Sequence, residues 1–373
     1  MERYVPYMKW GGAVLGGAAV IYILVFAHLF PVIYDSTAAV ADAASTTPAA
    51  IGAAATLPPL DTVAYDKKML ALAHVATSSP WHNYFLTGEM PTGTTTVFKK
   101  QAWPVKAAYP NPGALLPFNR IVAYYGNFYS KNMGVLGQYP EEEMLAKLRA
   151  AVAQWEAADP STPVVPAIDY IVITAQGSAG KDGKYRLRMP DDQIDKAIRL
   201  AQKVDGIVIL DVQVGLSNLQ TELPVYEEYL AKPNVHLAID PEFSMKSGAK
   251  PGTEIGTFSS SDVNFAAQYL AGLVQKNNLP PKILVVHRFT QGMVTGYKNI
   301  KPLPEVQIVM DMDGWGFGAK KINTYKTVIT PEPVQFAGFK LFYKNDIKPP
   351  STRMLTPTEV LSLTPAPVFI QYQ

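Results

Sequence analysis

PAIDYIVITAQGSAGKDGKYRLRMPDDQIDKAIRLAQKVDGIVILDV, residues 166–212, holds the reading that decides the fold. PAIDYIVIT (166–174) is a continuous apolar run of strand length, rich in β-branched residues. Such a run suits a parallel strand covered on both faces. DDQIDKAIRLAQKV (191–204) has helical spacing, an acidic first turn and Pro190 just before it. GIVILDV (206–212) is again a buried strand. Strand, helix and strand in that order form a βαβ unit, whose two strands lie parallel.

The same unit repeats in both directions. Strands are expected at 118–126, 235–243, 282–289, 305–316, 334–343 and 367–373. Helices are expected at 141–157, 219–231, 261–278, from Ala319, and at 356–363, with Ser261 or Asp262 capping the fourth of the chain's long helices. The stretch 290–304 shows no clear helix and reads as an irregular crossover, and QGSAGKDGKYRLR (176–188) as a hairpin-like loop. Eight apolar strands separated by helices, within about 250 residues, predict a closed (β/α)8 barrel over 118–373. An open doubly wound sheet is the alternative. The first and last strands are equally buried in character, so neither reads as a guarded edge.

Upstream the chemistry changes. GGAVLGGAAVIYILVFAHLFPVIY (11–34) contains no charged side chain, and about 20 apolar residues span a bilayer core. Arg3 and Lys9 precede it and the next cation is Lys67, which places residues 1–10 on the cytoplasmic side and the main domain in the periplasm or outside the cell. A cleaved signal peptide ending near Ala41-Asp42-Ala43 is the rival reading, although the apolar run exceeds the 7–15 residues of a signal core. Residues 35–62 form an Ala/Thr/Pro linker. Residues 63–117 interleave Trp81, Tyr84, Phe85, Phe98, Trp103 and Tyr109 with prolines, and MLALAHVA (69–76) suggests a short helix. So aromatic an arm is expected to wrap the main domain or a partner.

Composition narrows the function classes. Charged residues make up 17%, with a net charge of +2, and no basic run exists to hold nucleic acid. With no cysteine, disulfides, thiolate metal sites and iron–sulfur clusters are excluded. The five histidines lack metal-ligand spacing, and no cofactor is expected. GWGFGAK (314–320) departs from phosphate-loop spacing.

A barrel presents its chemistry at the C-terminal ends of its strands. Those positions here include Tyr125, Asp211, Asp240, Glu242, His287, Arg288, Asp311 and Asp313, with Trp315 just beyond. Glycoside hydrolysis needs two carboxyls, one as acid and one as base or nucleophile. Glu242 is the expected acid, with Asp240 or Asp313 as its counterpart. Asp211, His287, Arg288, Trp315 and Tyr125 are candidate binding residues. Each has a plain alternative: strand-end aspartates cap helices and tighten turns, and a barrel histidine is often simply hydrogen-bonded.

Clustered strand-end carboxylates and aromatics make residues 118–373 resemble glycosidase-like TIM-barrel proteins. IVAYYGNFYSKNMGVLGQY (121–139) is similar to the first strand and loop of a group of uncharacterised secreted or membrane-attached barrels. The resemblance implies a carbohydrate ligand. It transfers no catalytic assignment: DVQVGL (211–216) and DMDGWG (311–316) do not complete the chitinase-type acidic motif, and Asp240-Pro241-Glu242 replaces the Asn-Glu pair of another large glycosidase group.

Two functions are therefore carried forward. The first is a non-catalytic accessory subunit of a larger membrane complex, such as a photosynthetic or respiratory assembly. Lipid around residues 11–34 and other subunits would be its partners, with Gly11, Gly12, Gly16 and Gly17 offering close helix contacts. The alternative is a hydrolase acting on envelope or external polysaccharide.

Overall fold

The computed structural model describes residues 57–89 and 101–373. The expected segments 1–10 and 11–34, and most of the linker 35–62, lie outside the described residues. Among the described residues no helix is long and apolar enough to cross a membrane.

In chain order the strands are β1 (Arg120–Gly126), β2 (Val164–Ala175), β3 (Arg186–Arg188), β4 (Ile207–Val212), β5 (Val235–Ile239) and β6 (Phe258–Ser259). They continue with β7 (Lys282–Arg288), β8 (Val294–Thr295), β9 (Val306–Met312), β10 (Phe336–Leu341) and β11 (Phe369–Tyr372). Eight of them, β1, β2, β4, β5, β7, β9, β10 and β11, pair in parallel in that circular order. Closure is explicit: Ile121 of β1 pairs with Val165 of β2 on one side and with Phe369 of β11 on the other. The open-sheet alternative is thereby ruled out, since the first and last strands are neighbours. The segment 176–188 does form a hairpin, in which β3 runs antiparallel to the end of β2.

Helices cover the outside. Glu141–Ala158 starts with three glutamates, which complement the helix dipole, and buries Met144, Leu145, Leu148, Ala151 and Trp155 along one stripe. Asp191–Gln202 buries Ile194, Ala197, Leu200 and Ala201. Ser260–Asn277 starts earlier than the sequence suggested. Ser259 is its cap, and Asp262 returns the bond to the Ser259 N–H at 2.6 Å, closing a capping box. The segment 219–231 breaks into two four-residue helices around a 3₁₀ turn, because Pro224 supplies no N–H for a continuous helix. Between β7 and β9 the crossover is irregular, as its sequence implied.

The arm wraps the barrel itself. Its helix spans Thr62–Leu72, capped by Asp61, which is earlier than 69–76; a second helix spans Pro80–Thr87. Tyr65, Met69, Leu70, Trp81, Phe85 and Leu116 pack with Ile121, Ala123, Ala167, Ile209, Ala238, Val285, Val309 and Phe369. The barrel residues in that cluster are the inward-facing ones from the lower part of the strands, several of them only alanine. Their small size leaves the N-terminal mouth to be closed by large arm side chains. Polar bonds tie the seal down. The Gln307 side-chain amide accepts from the Leu116 N–H at 3.1 Å and donates to the Leu116 carbonyl at 2.6 Å. The Trp81 indole donates to the Trp103 carbonyl at 3.1 Å, and the Trp103 indole to the Thr330 carbonyl at 2.8 Å.

Trp81→Ala should therefore cost about 3–5 kcal/mol of folding stability in urea denaturation, as expected for truncating a buried aromatic. A loss of only about 0.5 kcal/mol, typical of surface changes, would mean that the arm does not seal the core.

Candidate functional site

Successive residues of a strand face opposite sides, so on each barrel strand every second residue looks inward. Above the apolar storey, this alternation brings one polar side chain from each strand to the axis: Tyr125, Asp169, Asp211, Asp240, His287, Asp311, Lys340 and Gln371 in circular order. All eight are buried. Glu242 and Asp313, two residues beyond Asp240 and Asp311, stand at the C-terminal rim and are half-buried.

His287 is the hub. Its Nε2 lies 2.8 Å from Asp211 Oδ2, and its Nδ1 lies 3.4 Å from both Asp311 Oδ2 and Asp313 Oδ2. Lys340 Nζ is 3.0 Å from Asp313 Oδ1 and 3.8 Å from the centre of the Tyr125 ring, a cation–π contact. The Tyr125 hydroxyl accepts from Gln213 Nε2 at 3.3 Å, and Gln213 Oε1 accepts from the Ala175 N–H at 2.9 Å. Deeper in, Gln371 Nε2 donates to Asp169 Oδ2 at 2.5 Å. Gly338 makes room for this cluster. A Cβ there would lie 2.5 Å from Asp311 Oδ1 and 3.0 Å from the Phe369 ring.

The electrostatics follow from burial and from neighbours. Burial would push the His287 imidazolium down, but Asp211, Asp311 and Asp313 outweigh it and hold His287 well above its ordinary value. Lys340 likewise rises, because Asp313, Asp311 and Asp211 overcome its desolvation. Burial pushes the carboxyls of Asp169, Asp311 and Glu242 up, the last with repulsion from Asp240 and Asp313. Asp240 is pushed up to about 7, chiefly by burial. Glu242 thus keeps its proton above the usual carboxylate range at the rim of the barrel, and its Oε1 has no hydrogen-bond partner.

The sequence-predicted residues separate clearly. Asp211, Asp240, Glu242, His287, Asp313 and Tyr125 converge on this one region. Asp240 has a structural duty too, since its Oδ1 accepts from the Glu242 N–H at 3.0 Å and caps the Pro241–Phe243 turn. Arg288 is not brought to the site. As the neighbour of inward-facing His287 it points outward, donates to the carbonyls of Thr290, Gln291 and Val294, and pairs with Glu332. Trp315 lies just past Asp313, half-buried, with Lys320 Nζ 4.7 Å over its ring. Asp311 is neither cap nor turn residue but part of the buried cluster. Sequence reasoning missed Asp169, Lys340 and Gln371. The signal was present: each is a polar residue inside an otherwise apolar strand.

No protein-family model matches the chain, and no curated protein matches it. Solved structures similar to it include glycoside hydrolases. A cellulase (Cel5C_n) matches with 14% identity and a TM-score of 0.35, over 60% of this chain and 65% of its own, which is less than two thirds of the cellulase's length. A GH5-4 broad-specificity endoglucanase from an uncultured bovine rumen ciliate matches with 10% identity and a TM-score of 0.35, over 63% of this chain and 76% of its own. A ruminal GH26 endo-β-1,4-mannanase matches with 10% identity and a TM-score of 0.33, over 68% of this chain and 58% of its own.

The raised Asp240 carboxyl has a measurable consequence. Between the ordinary 3.8 and about 7, the unfolded chain releases this proton while the folded chain keeps it, so the contribution of Asp240 to stability falls as pH rises through that window. Asn cannot titrate and still offers an oxygen to the Glu242 N–H. Asp240→Asn should gain on the wild type by on the order of 2–4 kcal/mol between about pH 4 and about pH 7. Parallel urea curves at the two pH values would check it; a constant difference would refute the buried-acid assignment.

Proposed function

We propose that this protein is a glycosidase-like hydrolase acting at the C-terminal mouth of its barrel. Glu242 is its proton donor, and Asp313 or Asp240 is the second carboxyl. The observation that carries the reading is Glu242 itself: a carboxyl whose proton is held by burial, at the strand-end rim, with Oε1 unpartnered and two further carboxyls beside it. A general acid needs a raised proton affinity near working pH, and a glycosidase pairs it with a second carboxyl in a different environment. Asp313, clamped by Lys340 and His287, has that different environment. With residues 11–34 as an anchor, the substrate would be envelope or external polysaccharide, and the main domain would lie outside the cytoplasm.

The second reading is the accessory subunit of a membrane complex. Its supports are the expected anchor, which lies outside the described residues, and the engagement of Asp211 and Asp313 in buried ion pairs.

The two readings part on one experiment. Purified protein is assayed on a panel of neutral and acidic glycans, with reducing-end release as the signal. Hydrolysis of at least one glycan is expected. Glu242→Gln should lower that rate by about 10²–10⁴-fold while leaving the near-UV circular dichroism unchanged. No turnover on any glycan would sink the hydrolase and favour the accessory role, and so would turnover that Glu242→Gln leaves intact.

A further inference from the structure

Resting on that reading, we propose that Lys340 is the positioning residue that makes Asp313, rather than Asp240, the carboxylate working opposite Glu242, with His287 as a second clamp. Nothing in the sequence motifs pointed to Lys340; its place in the barrel does. It is buried on β10, inward-facing above Phe336 and Gly338.

The argument is geometric. Asp313 presents both oxygens to cations, Oδ1 to Lys340 Nζ at 3.0 Å and Oδ2 to His287 Nδ1 at 3.4 Å. The Lys340 contact is the close one; the His287 ion pair is longer, lacks hydrogen-bond geometry and is shared with Asp311, so Lys340 is the main clamp on the carboxylate. The cations are fixed in turn: Lys340 by the Tyr125 ring at 3.8 Å, and His287 by Asp211 at 2.8 Å. Asp240 is arranged differently. Among the described residues no Lys, Arg or His nitrogen forms an ion pair with it, and its Oδ1 is engaged by the Glu242 N–H. One Asp240 oxygen is thus committed to a backbone N–H of its own turn, whereas the Asp313 oxygens face cations from other strands. A carboxylate held by two charges over a rigid strand end is preorganised for that role. The groups facing Lys340 and Asp313 are Tyr125 from β1, Asp169 from β2, Asp211 from β4, Asp240 and Glu242 beyond β5, His287 from β7, Asp311 from β9 and Gln371 from β11. Only His287 and Lys340 among them are cationic; Lys321 lies behind β10, paired with Asp346 and donating to the Lys340 carbonyl, and acts on Asp313 and Asp311 from there.

A Schiff-base role for Lys340 does not fit. An amine nucleophile needs a lone pair at working pH, whereas this ammonium is paired with Asp313 and stacked on Tyr125.

The test has two arms. On a glycan that the wild type cleaves, Lys340→Met should lower kcat by about 10²-fold with KM changed by less than about threefold, as for a displaced reacting group. Lys340→Arg, which keeps the charge, should recover most of the lost kcat. Asp240→Asn should lower kcat by less than Lys340→Met does. The second arm needs no activity. The Lys340 ammonium signal in ¹H–¹⁵N NMR should persist in the wild type to higher pH than in Asp313→Asn. Lys340→Met with wild-type kcat, or Asp240→Asn losing more rate than Lys340→Met, would overturn the proposal while leaving the hydrolase standing. A Lys340 signal indifferent to Asp313→Asn would overturn it even if no glycan is cleaved.

Discussion

Six carboxyl groups share the upper barrel with two cations, and the rest of the site depends on how that imbalance is resolved. Among the described residues, Asp169, Asp211, Asp240, Glu242, Asp311 and Asp313 face His287 and Lys340 inside the barrel, with buried Lys321 acting on Asp311 and Asp313 from outside β10. In a medium that solvates charge poorly, uncompensated carboxylates at this density would repel one another strongly. The structure resolves the problem by pairing and by protonation. Asp211 and Asp313 are matched with His287 and Lys340. The other four acids are pushed toward their neutral forms. One region therefore contains acids in two electrostatic settings, the condition for running acid and base chemistry side by side.

Closure of the sheet makes this crowding unavoidable. With eight strands joined in a ring and side chains alternating at every residue, inward positions at one height have nowhere to go but the axis. The lower storey is apolar and is completed by the arm; the upper storey is polar and completes itself through ion pairs. Removing one member of such a cluster leaves its partner buried and unmatched, which costs more than the pair contributes net. The cluster is therefore better read as fixing geometry than as stabilising the fold. Stability resides in the two apolar cores, one inside the lower barrel with the arm and one between the strands and the outer helices.

The fold was largely legible because its signals are local. PAIDYIVIT, GIVILDV and KILVVHRF are buried strands on composition alone, and all eight barrel strands fall where apolar runs predict them. Helix starts slipped where a cap such as Ser259 lies just upstream of a more obvious candidate, and the 219–231 helix fragmented at its proline. The site was half legible. Strand-end acids are visible in a linear reading, so Asp240, Glu242 and Asp313 were found. Lys340, Asp169 and Gln371 lie within strands, where a polar residue reads as a flaw until the closed ring shows that all three face one axis. Arg288 shows the opposite error. It sits beside His287 in the chain, and strand alternation sends the two to opposite faces.

The arm has a directional consequence. Leu57 and Pro280 both lie against Gly113, just ahead of β7, so Leu57 sits at the N-terminal pole of the barrel, opposite Glu242. The sealed base and the acidic crown therefore occupy opposite poles of the barrel, and the described part of the arm takes up the first.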